Sequence, residues 1–300
     1  MRTHDVIIED TFAEGFGMWA ARLIVTAIDV QQVDVAAGEV CGYGASVIGC
    51  DAEAGVEHRL NSDQTPDGRP GARLLFFAFS AKALAKALPK RTGQCLMTCP
   101  TTAVYDGLSD ASDGAGQARL DLGTTLRFFG DGYQKSKVIA GRRYWRIPVM
   151  DGEFLVEQSV GAIKAIGGGN FLICGRSQSA ALAGARQAVS AIALLPDVIT
   201  PFPGGIVRSG SKVGSRYKSM FASTNDAYCP TLRSRTQTKL PDDVHSVYEI
   251  VINGLSEQAI MAAMRAGIKA ACQQDIVAIS AGNYGGNLGK FHFKLHEVMA

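Results

Sequence analysis

The chain resembles itself at a constant offset of 148 residues. Asp5-Val6-Ile7-Ile8-Glu9 lies over Glu153-Phe154-Leu155-Val156-Glu157, and Arg22-Leu23-Ile24-Val25 lies over Asn170-Phe171-Leu172-Ile173. Near the other end Gly141-Arg142-Arg143-Tyr144-Trp145-Arg146-Ile147 lies over Gly289-Lys290-Phe291-His292-Phe293-Lys294-Leu295. Identity is low, but apolar class and spacing are kept at both ends without a gap. Chance similarity between strand-like segments would not hold one offset, so the pattern points to a duplication with lobes at 1–150 and 151–300. With 300 residues in all, each half is long enough to bury a core of its own.

Each lobe reads as the same series of elements. In the first, residues 22–27 form a strand and Asp29 caps the helix that follows. Residues 46–50 and 73–79 read as strands. Ser80 caps a helix with Leu84 and Leu88 on one face, which Pro89 kinks or ends. Residues 122–129 and 143–149 read as strands around the turn Gly130-Asp131-Gly132. In the second lobe, 170–174 is a strand and 177–195 an amphipathic helix. A short strand, 206–209, follows the turn Pro203-Gly204-Gly205, and 247–253 is another strand. Ser256 with Glu257 opens a helix over 257–272, whose stripe is Ile260, Met264 and Ile268. Strands at 276–280 and 291–295 complete the lobe. A β-α-β, β-α-β order in each half leads to an α+β expectation: two ferredoxin-like, split βαβ sandwiches, with helices on one face of a mainly antiparallel sheet.

Composition narrows the function. Hydrophobic residues are 47% and charged residues 19%, a globular balance. No run approaches the roughly 18 apolar residues of a membrane span, and Met1-Arg2-Thr3-His4-Asp5 begins no secretory signal. Seven cysteines without a CxxC and five histidines without a ligand spacing suggest a reduced cytoplasm and no metal site. The net charge of +2 conceals an asymmetry. Residues 201–240 hold Arg208, Lys212, Arg216, Lys218, Arg233, Arg235 and Lys239 against one acid, Asp226, a local +6 that leaves −4 elsewhere. Such a segment attracts anions. Phe202, Tyr217, Phe221 and Tyr228 are interleaved with it, as in some RNA-binding sheets, but no RNP-type motif is present and nucleic acid is not expected.

Three segments could carry chemistry. On the strand 247–253 only Glu249 and Asn253 break the apolar run, and at a spacing of four they share a sheet face with Val247 and Val251. A carboxyl there is desolvated, which raises its pKa and favours the acid, a donor to an oxyanion or a leaving amine. The alternative, a glutamate paired with a buried cation, stands level with it. The loop 222–230 concentrates Asn225, Asp226 and Tyr228, donors and acceptors suited to a heterocycle, or else a self-satisfied Asx turn. Lys212 lies in Ser209-Gly210-Ser211-Lys212-Val213-Gly214-Ser215, which lacks the spacing of a phosphate loop. Gly42-Tyr43-Gly44, Gly167-Gly168-Gly169 and 282–286 read as turns.

Taken in order, IEDTFAE (8–14), QTPDGRPG (64–71), GQCLMT (93–98), FFGDGYQ (128–134), GEFLVE (152–157), GGGNF (167–171), PFPGGIV (201–207), SKVGS (211–215), ASTNDAYCPT (222–231), VYEIVINGL (247–255), ACQQ (271–274) and ISAGNYGG (279–286) resemble the formylmethanofuran:tetrahydromethanopterin N-formyltransferase family. Residues 108–121 and 231–239 match least well. The resemblance implies a duplicated ferredoxin-like fold and a homotetramer. It implies reversible formyl transfer between the primary amine of methanofuran and N5 of tetrahydromethanopterin. Both are co-substrates, with no tightly bound cofactor. It places the family's catalytic glutamate at Glu249. Substrate-binding positions are then Asn225, Asp226, Tyr228, Asn253, Lys212, Arg216, Gly204 and Gly205, with the basic segment facing anionic carriers. The near-neutral charge suits the bacterial, methylotroph-type member over the acidic archaeal ones, and that member works with formyl-hydrolase subunits in a hetero-complex. A non-catalytic ligand-binding or scaffold subunit of paired ferredoxin-like domains is the alternative, and it has no need of a desolvated acid.

Overall fold

A computed structural model describes residues 1–47, 49–108 and 116–300. The chain opens with β1 (Arg2–Thr3), β2 (Val6–Ile8) and the long β3 (Phe12–Thr26). It continues through α1 (Val30–Ser46), β4 (Glu53–Leu60), β5 (Gly71–Ala78), α2 (Ala81–Arg91) and β6 (Ala103–Asp106). Then come β7 (Gln117–Asp121), the single-turn α3 (Gly123–Leu126), β8 (Lys135–Ile139), β9 (Arg142–Val149) and β10 (Gly152–Glu157). The second pass runs β11 (Ser159–Gly175), α4 (Gln178–Ile192), β12 (Val198–Ile199), β13 (Lys212–Val213), β14 (Ala222–Ser223) and β15 (Ser246–Gly254). It ends with α5 (Glu257–Ala271), β16 (Ile276–Ser280), β17 (Phe291–Lys294) and α6 (Leu295–Met299). Two compact units result: Met18–Ala165, and Met1–Gly17 with Ile166–Ala300.

Both units repeat one strand order. In Met18–Ala165 the sheet runs β6-β3-β5-β4, every neighbour antiparallel. In the other unit it runs β16-β11-β15-β12, again antiparallel throughout. In each, the last strand of a βαββαβ series lies beside the first. Parallel pairs, β10 with β6 and β16 with β2, extend the two sheets.

The helices start where short polar side chains cap them. Asp29, Ser80, Ser177 and Ser256 each accept a hydrogen bond from the backbone N–H three residues on, satisfying a donor that the first turn leaves free. Each helix lays one stripe on its sheet. Val33, Ala36 and Val40 of α1 with Leu84 and Leu88 of α2 pack on Leu23, Leu74 and Phe76. Ala181, Ala185 and Ala188 of α4 with Ile260, Met264 and Ile268 of α5 pack on Phe171, Ile250 and Ile252.

Several local expectations are corrected. No strand forms over the described part of 46–50: α1 absorbs Gly42-Tyr43-Gly44 and runs to Ser46, and the strand comes later, as β4. Ile48 lies outside the described residues. Residues 122–129 are not a strand either. The buried pair Leu122 and Leu126 is four apart, a helical spacing, and the chain turns through α3 and a 3₁₀ turn with Phe128 and Phe129 exposed. The strand of that region is β7, just before; part of the poorly matching stretch, 109–115, lies outside the described residues. Residues 206–209 contribute only one bridge, Val207 to Glu249. Pro89 does not end α2, which runs on to Arg91. It sits in the last turn, where its ring removes one N–H donor, and a π-turn over Thr92–Leu96 follows.

Gly267 tests the packing of α5. A Cβ there would lie 2.8 Å from both Ile192 Cδ1 and Phe171 Cζ. Helix propensity alone favours Ala over Gly by about 1 kcal/mol. Overpacking a buried contact costs about 1–3 kcal/mol. Gly267→Ala is therefore expected to lower stability in urea unfolding; a variant more stable than the parent would show that the contact relaxes freely.

Candidate functional site

β15 alternates as its sequence requires. Tyr248, Ile250 and Ile252 are buried in the core with α4 and α5, which sends Val247, Glu249, Val251 and Asn253 to the opposite face. Glu249 is paired across to Leu172 of β11, and Leu172 in turn to Ser280 of β16. That helix-free face is covered by the long connection 200–245. Tyr228, Leu240 and Val244 pack there on Cys174 and Ala278. Arg233 ties the end of the connection, donating to the carbonyls of Leu240 (3.1 Å), Pro241 (2.9 Å) and Val244 (2.6 Å). Its beginning is fixed by Val207, which exchanges two backbone bonds with Glu249, of 2.8 and 3.0 Å.

Between strand and connection lies a cavity of about 140 Å³, lined by Leu172, Val207, Arg208, Asn225, Tyr228 and Glu249 among others. The Glu249 side chain is half-buried, and among the described residues its carboxyl has no hydrogen-bond or ion-pair partner. Burial pushes its pKa up to about 7. Of the two readings of this residue, the uncompensated acid is the one that the geometry matches. On another side of the carboxyl stands the loop after β16: a Cβ on Gly282 would lie 3.7 Å from Glu249 Oε1.

The other sequence-selected residues divide. Asn225 and Tyr228 join Glu249 on the cavity. Asp226 turns away and accepts from Lys212 Nζ at 2.7 Å, a bond that holds its carboxyl below the usual range. Lys212, Asp226 and Arg216 line a neighbouring cavity of about 560 Å³ with Tyr217, Arg235 and Thr236. Asn253 is buried and its Oδ1 accepts from Gly168 N–H at 3.1 Å, where the register of β11 shifts, so it shapes the strand. Gly204 and Gly205 form a 3₁₀ turn outside the Glu249 cavity lining; Gly205 is buried against Thr200 and Val189.

Sequence reasoning missed Ser280 and Glu9. Ser280 is fully buried and donates to the Glu9 carboxylate, while its Oγ stands 2.8 Å from the Tyr228 hydroxyl. A serine hydroxyl has one hydrogen, and Ser280 gives it to Glu9, so it accepts from Tyr228. Burial pushes the Tyr228 phenol up to about 12. These residues come from segments far apart in the chain, and no periodicity links them. Size alone would point elsewhere, to a groove of about 900 Å³ lined by Met97, Phe129, Pro148 and Met150. Its one carboxylate, Asp151, already accepts from Thr101 N–H at 2.8 Å, so it offers no free acid. An unpaired acid in a desolvated pocket can instead donate a proton or a hydrogen bond to charge that develops on a bound oxygen or nitrogen.

Comparison with known proteins identifies the family. The family model described as formylmethanofuran-tetrahydromethanopterin formyltransferase matches residues 1–149, and that of its proximal lobe matches residues 152–298. The formylmethanofuran–tetrahydromethanopterin formyltransferase of Methylobacillus flagellatus is 54% identical over 304 residues, covering all of both chains. Among solved structures, the corresponding enzyme from Methanosarcina barkeri superposes with a TM-score of 0.93 at 49% identity, covering 99% of this chain and 100% of that one. A chain of the formyltransferase/hydrolase complex from Methylorubrum extorquens, in complex with methylofuran, also gives 0.93, at 47% identity over 100% of this chain and 99% of its own.

The Glu249 carboxyl makes a stability prediction that is independent of any activity. Its pKa is raised from an ordinary 4.5 to about 7, so between those values the folded state holds the proton more tightly than the unfolded chain. Stability therefore falls as pH rises through that window. Glu249→Gln removes the ionisable group. Its melting temperature should exceed the parent's at pH 8 and converge with it near pH 4. Parallel curves at both values would mean that the carboxyl is not desolvated.

Proposed function

The chain belongs to the formylmethanofuran–tetrahydromethanopterin formyltransferase family, and from that premise we propose that the Glu249 cavity is where its formyl transfer takes place. The protein is a formyltransferase acting on methanofuran and tetrahydromethanopterin. The observation that carries the site is the unpartnered, desolvated carboxyl of Glu249.

The nitrogen of one carrier attacks the formyl carbon held by the other, and the carbonyl π pair moves onto oxygen. Glu249, protonated, donates to that oxygen. The attacking nitrogen gives up its proton and the departing nitrogen gains one, with Glu249 in reach of both transfers. The oxyanion then collapses and the old C–N bond breaks. No net proton or electron is consumed, so the step needs no prosthetic group. Holding both carriers in register supplies much of the acceleration. Water must be kept out, because hydrolysis would lose the formyl group as formate. At about 140 Å³ the cavity fits the reacting end of a carrier, with the basic cavity beside it open to an anionic tail. Asn225 and Tyr228 would read the ring system.

The finer architecture follows the same reading. Each unit is taken as a ferredoxin-like sandwich, supported by the βαββαβ series with its first and last strands adjacent. Lobes at 1–150 and 151–300 are supported by the family models that meet there. A cytoplasmic homotetramer is proposed, and a hetero-complex with hydrolase subunits is supported by the relative from Methylorubrum extorquens.

Glu249→Ala should lower turnover by about 10²–10³, the usual effect of losing one donor to an oxyanion, with little change in carrier affinity. Glu249→Gln should lose proton transfer, keep a donor and fall between. A folded Ala variant with near-parental turnover would remove Glu249 from the chemistry. Neutralising Arg216 and Arg235 together should raise KM for the anionic carrier, by less at high salt. A KM unchanged at low salt would make these charges an ordinary solvated face.

A further inference from the structure

The loop that stands against Glu249, residues 282–289, reads Gly-Asn-Tyr-Gly-Gly-Asn-Leu-Gly and has few side chains with which to anchor itself. It is anchored from outside. Glu14 of β3 is 1% exposed and turns its carboxylate into the loop. Oε2 accepts from the backbone N–H of Tyr284 (2.6 Å) and Gly286 (3.1 Å), and Oε1 from those of Leu288 (2.6 Å) and Gly289 (2.6 Å). Burial disfavours the charge, but the four donors outweigh it and the net pKa is lowered, so Glu14 stays ionised. Charge-assisted bonds of this kind are about twice as strong as neutral ones. The approach is as close as backbone allows: a Cβ on Gly289 would lie 2.4 Å from Gly15 O. Asn283 adds bonds to Thr11 Oγ1 (3.2 Å) and Phe12 O (3.1 Å). The near end of the loop is held separately by Asn170, whose Oδ1 accepts from Gly282 N–H at 2.6 Å and whose Nδ2 donates to Gly282 O at 3.0 Å.

We propose that Glu14 is a positioning residue for formyl transfer: by gripping the backbone of 284–289 it holds Gly282 and Tyr284 against the Glu249 carboxyl and keeps water from that side of the acid. The proposal rests on Glu249 being the acid. A Gly-rich loop freed of its anchor gains conformational entropy and opens. Water then reaches Glu249, stabilises its ionised form and removes the donor at neutral pH. The titratable groups that face Glu249 are Tyr284 from the loop and Arg208, Tyr228 and Cys229 from the 200–245 connection; β11 presents Leu172. None of these changes in the variants below.

The test is the pH dependence of kcat in the full-length protein. In the parent, activity that needs protonated Glu249 declines as pH rises through about 7. In Glu14→Gln one amide oxygen replaces two carboxylate oxygens and the NH2 group faces backbone donors, so the declining limb should move to lower pH by about one unit. Turnover at pH 7.5 should fall several-fold, with KM little changed. Asn170→Ala, which frees the other end of the loop, should shift the limb in the same direction and serves if Glu14→Gln does not fold. A limb that stays in place in both variants, with only the melting temperature lowered, overturns the proposal and makes Glu14 a purely structural anchor. A parent without that limb, or Glu249→Gln with undiminished turnover, overturns instead the reading of Glu249 and this proposal with it.

Discussion

The site depends on one carboxyl kept out of water without a counter-charge. An acid beside a cation ionises, and +6 of charge lies in the very segment that covers Glu249. Three of those cations are engaged elsewhere. Lys212 is bound by Asp226, Arg233 is spent on three carbonyls of its own connection, and Lys239 lies 5.9 Å from the Tyr228 ring centre. Arg208 lines the cavity, and among the described residues no charged group is a cause of the Glu249 shift. Positive charge is thus present to draw anions in, yet among the described residues none of it pairs with the acid. Asp226, which looked like a ligand contact in the sequence, does its part by holding a lysine away.

The two units, which share one strand order, differ at the face that carries the candidate site in one of them. At the position where Leu172 faces Glu249, the first repeat has Ile24 facing Arg73. Where Leu172 faces Ser280, Ile24 faces Tyr105. Asn170, which holds Gly282, corresponds to Arg22, and Arg22 is locked in a bidentate pair with the buried Glu57 at 2.6 and 2.7 Å. Asp106 is likewise taken by Arg119 at 2.6 Å. The same face is therefore filled by closed ion pairs in one unit and left with an open acid in the other. The middle connection differs as well: β4 leads to β5 through 61–70, whereas β12 leads to β15 through 200–245. The longer connection covers the sheet face and forms the cavity.

What the sequence disclosed and what it withheld follow from range. The helix starts at Asp29, Ser80 and Ser256 and the face of Glu249 are local patterns, and each stands in the structure where its residues put it. The misread segments, 46–50 and 122–129, are short apolar runs in which strand and helix cannot be told apart by periodicity. Ser280, Glu9, Glu14 and Gly282 were beyond that kind of reading. They meet because β2 pairs with β16 and β3 with β17, joining the first residues of the chain to the last. The motifs IEDTFAE and ISAGNYGG marked both segments, but not that one would hold the other.

Two glutamates border the same loop and have opposite fates, which is the arrangement that separates roles among chemically identical groups. Glu14 is the more buried, yet remains charged because four N–H groups point at it. Glu249 has no such donors among the described residues, so burial raises its pKa unopposed. Burial favours the neutral acid in both, and the donors overcome it only at Glu14. Both carboxyls act on Tyr284. Burial raises its pKa, a bond with Ser211 opposes this, and the charges of Glu249 and Glu14 add to the rise, so the phenol stays neutral. The backbone N–H groups spent on Glu14 are the same ones that, left free, would draw an anion or water into the loop. Sequestering them on a fixed carboxylate leaves the wall beside Glu249 with little to offer water, and that is the condition under which its acid keeps its proton.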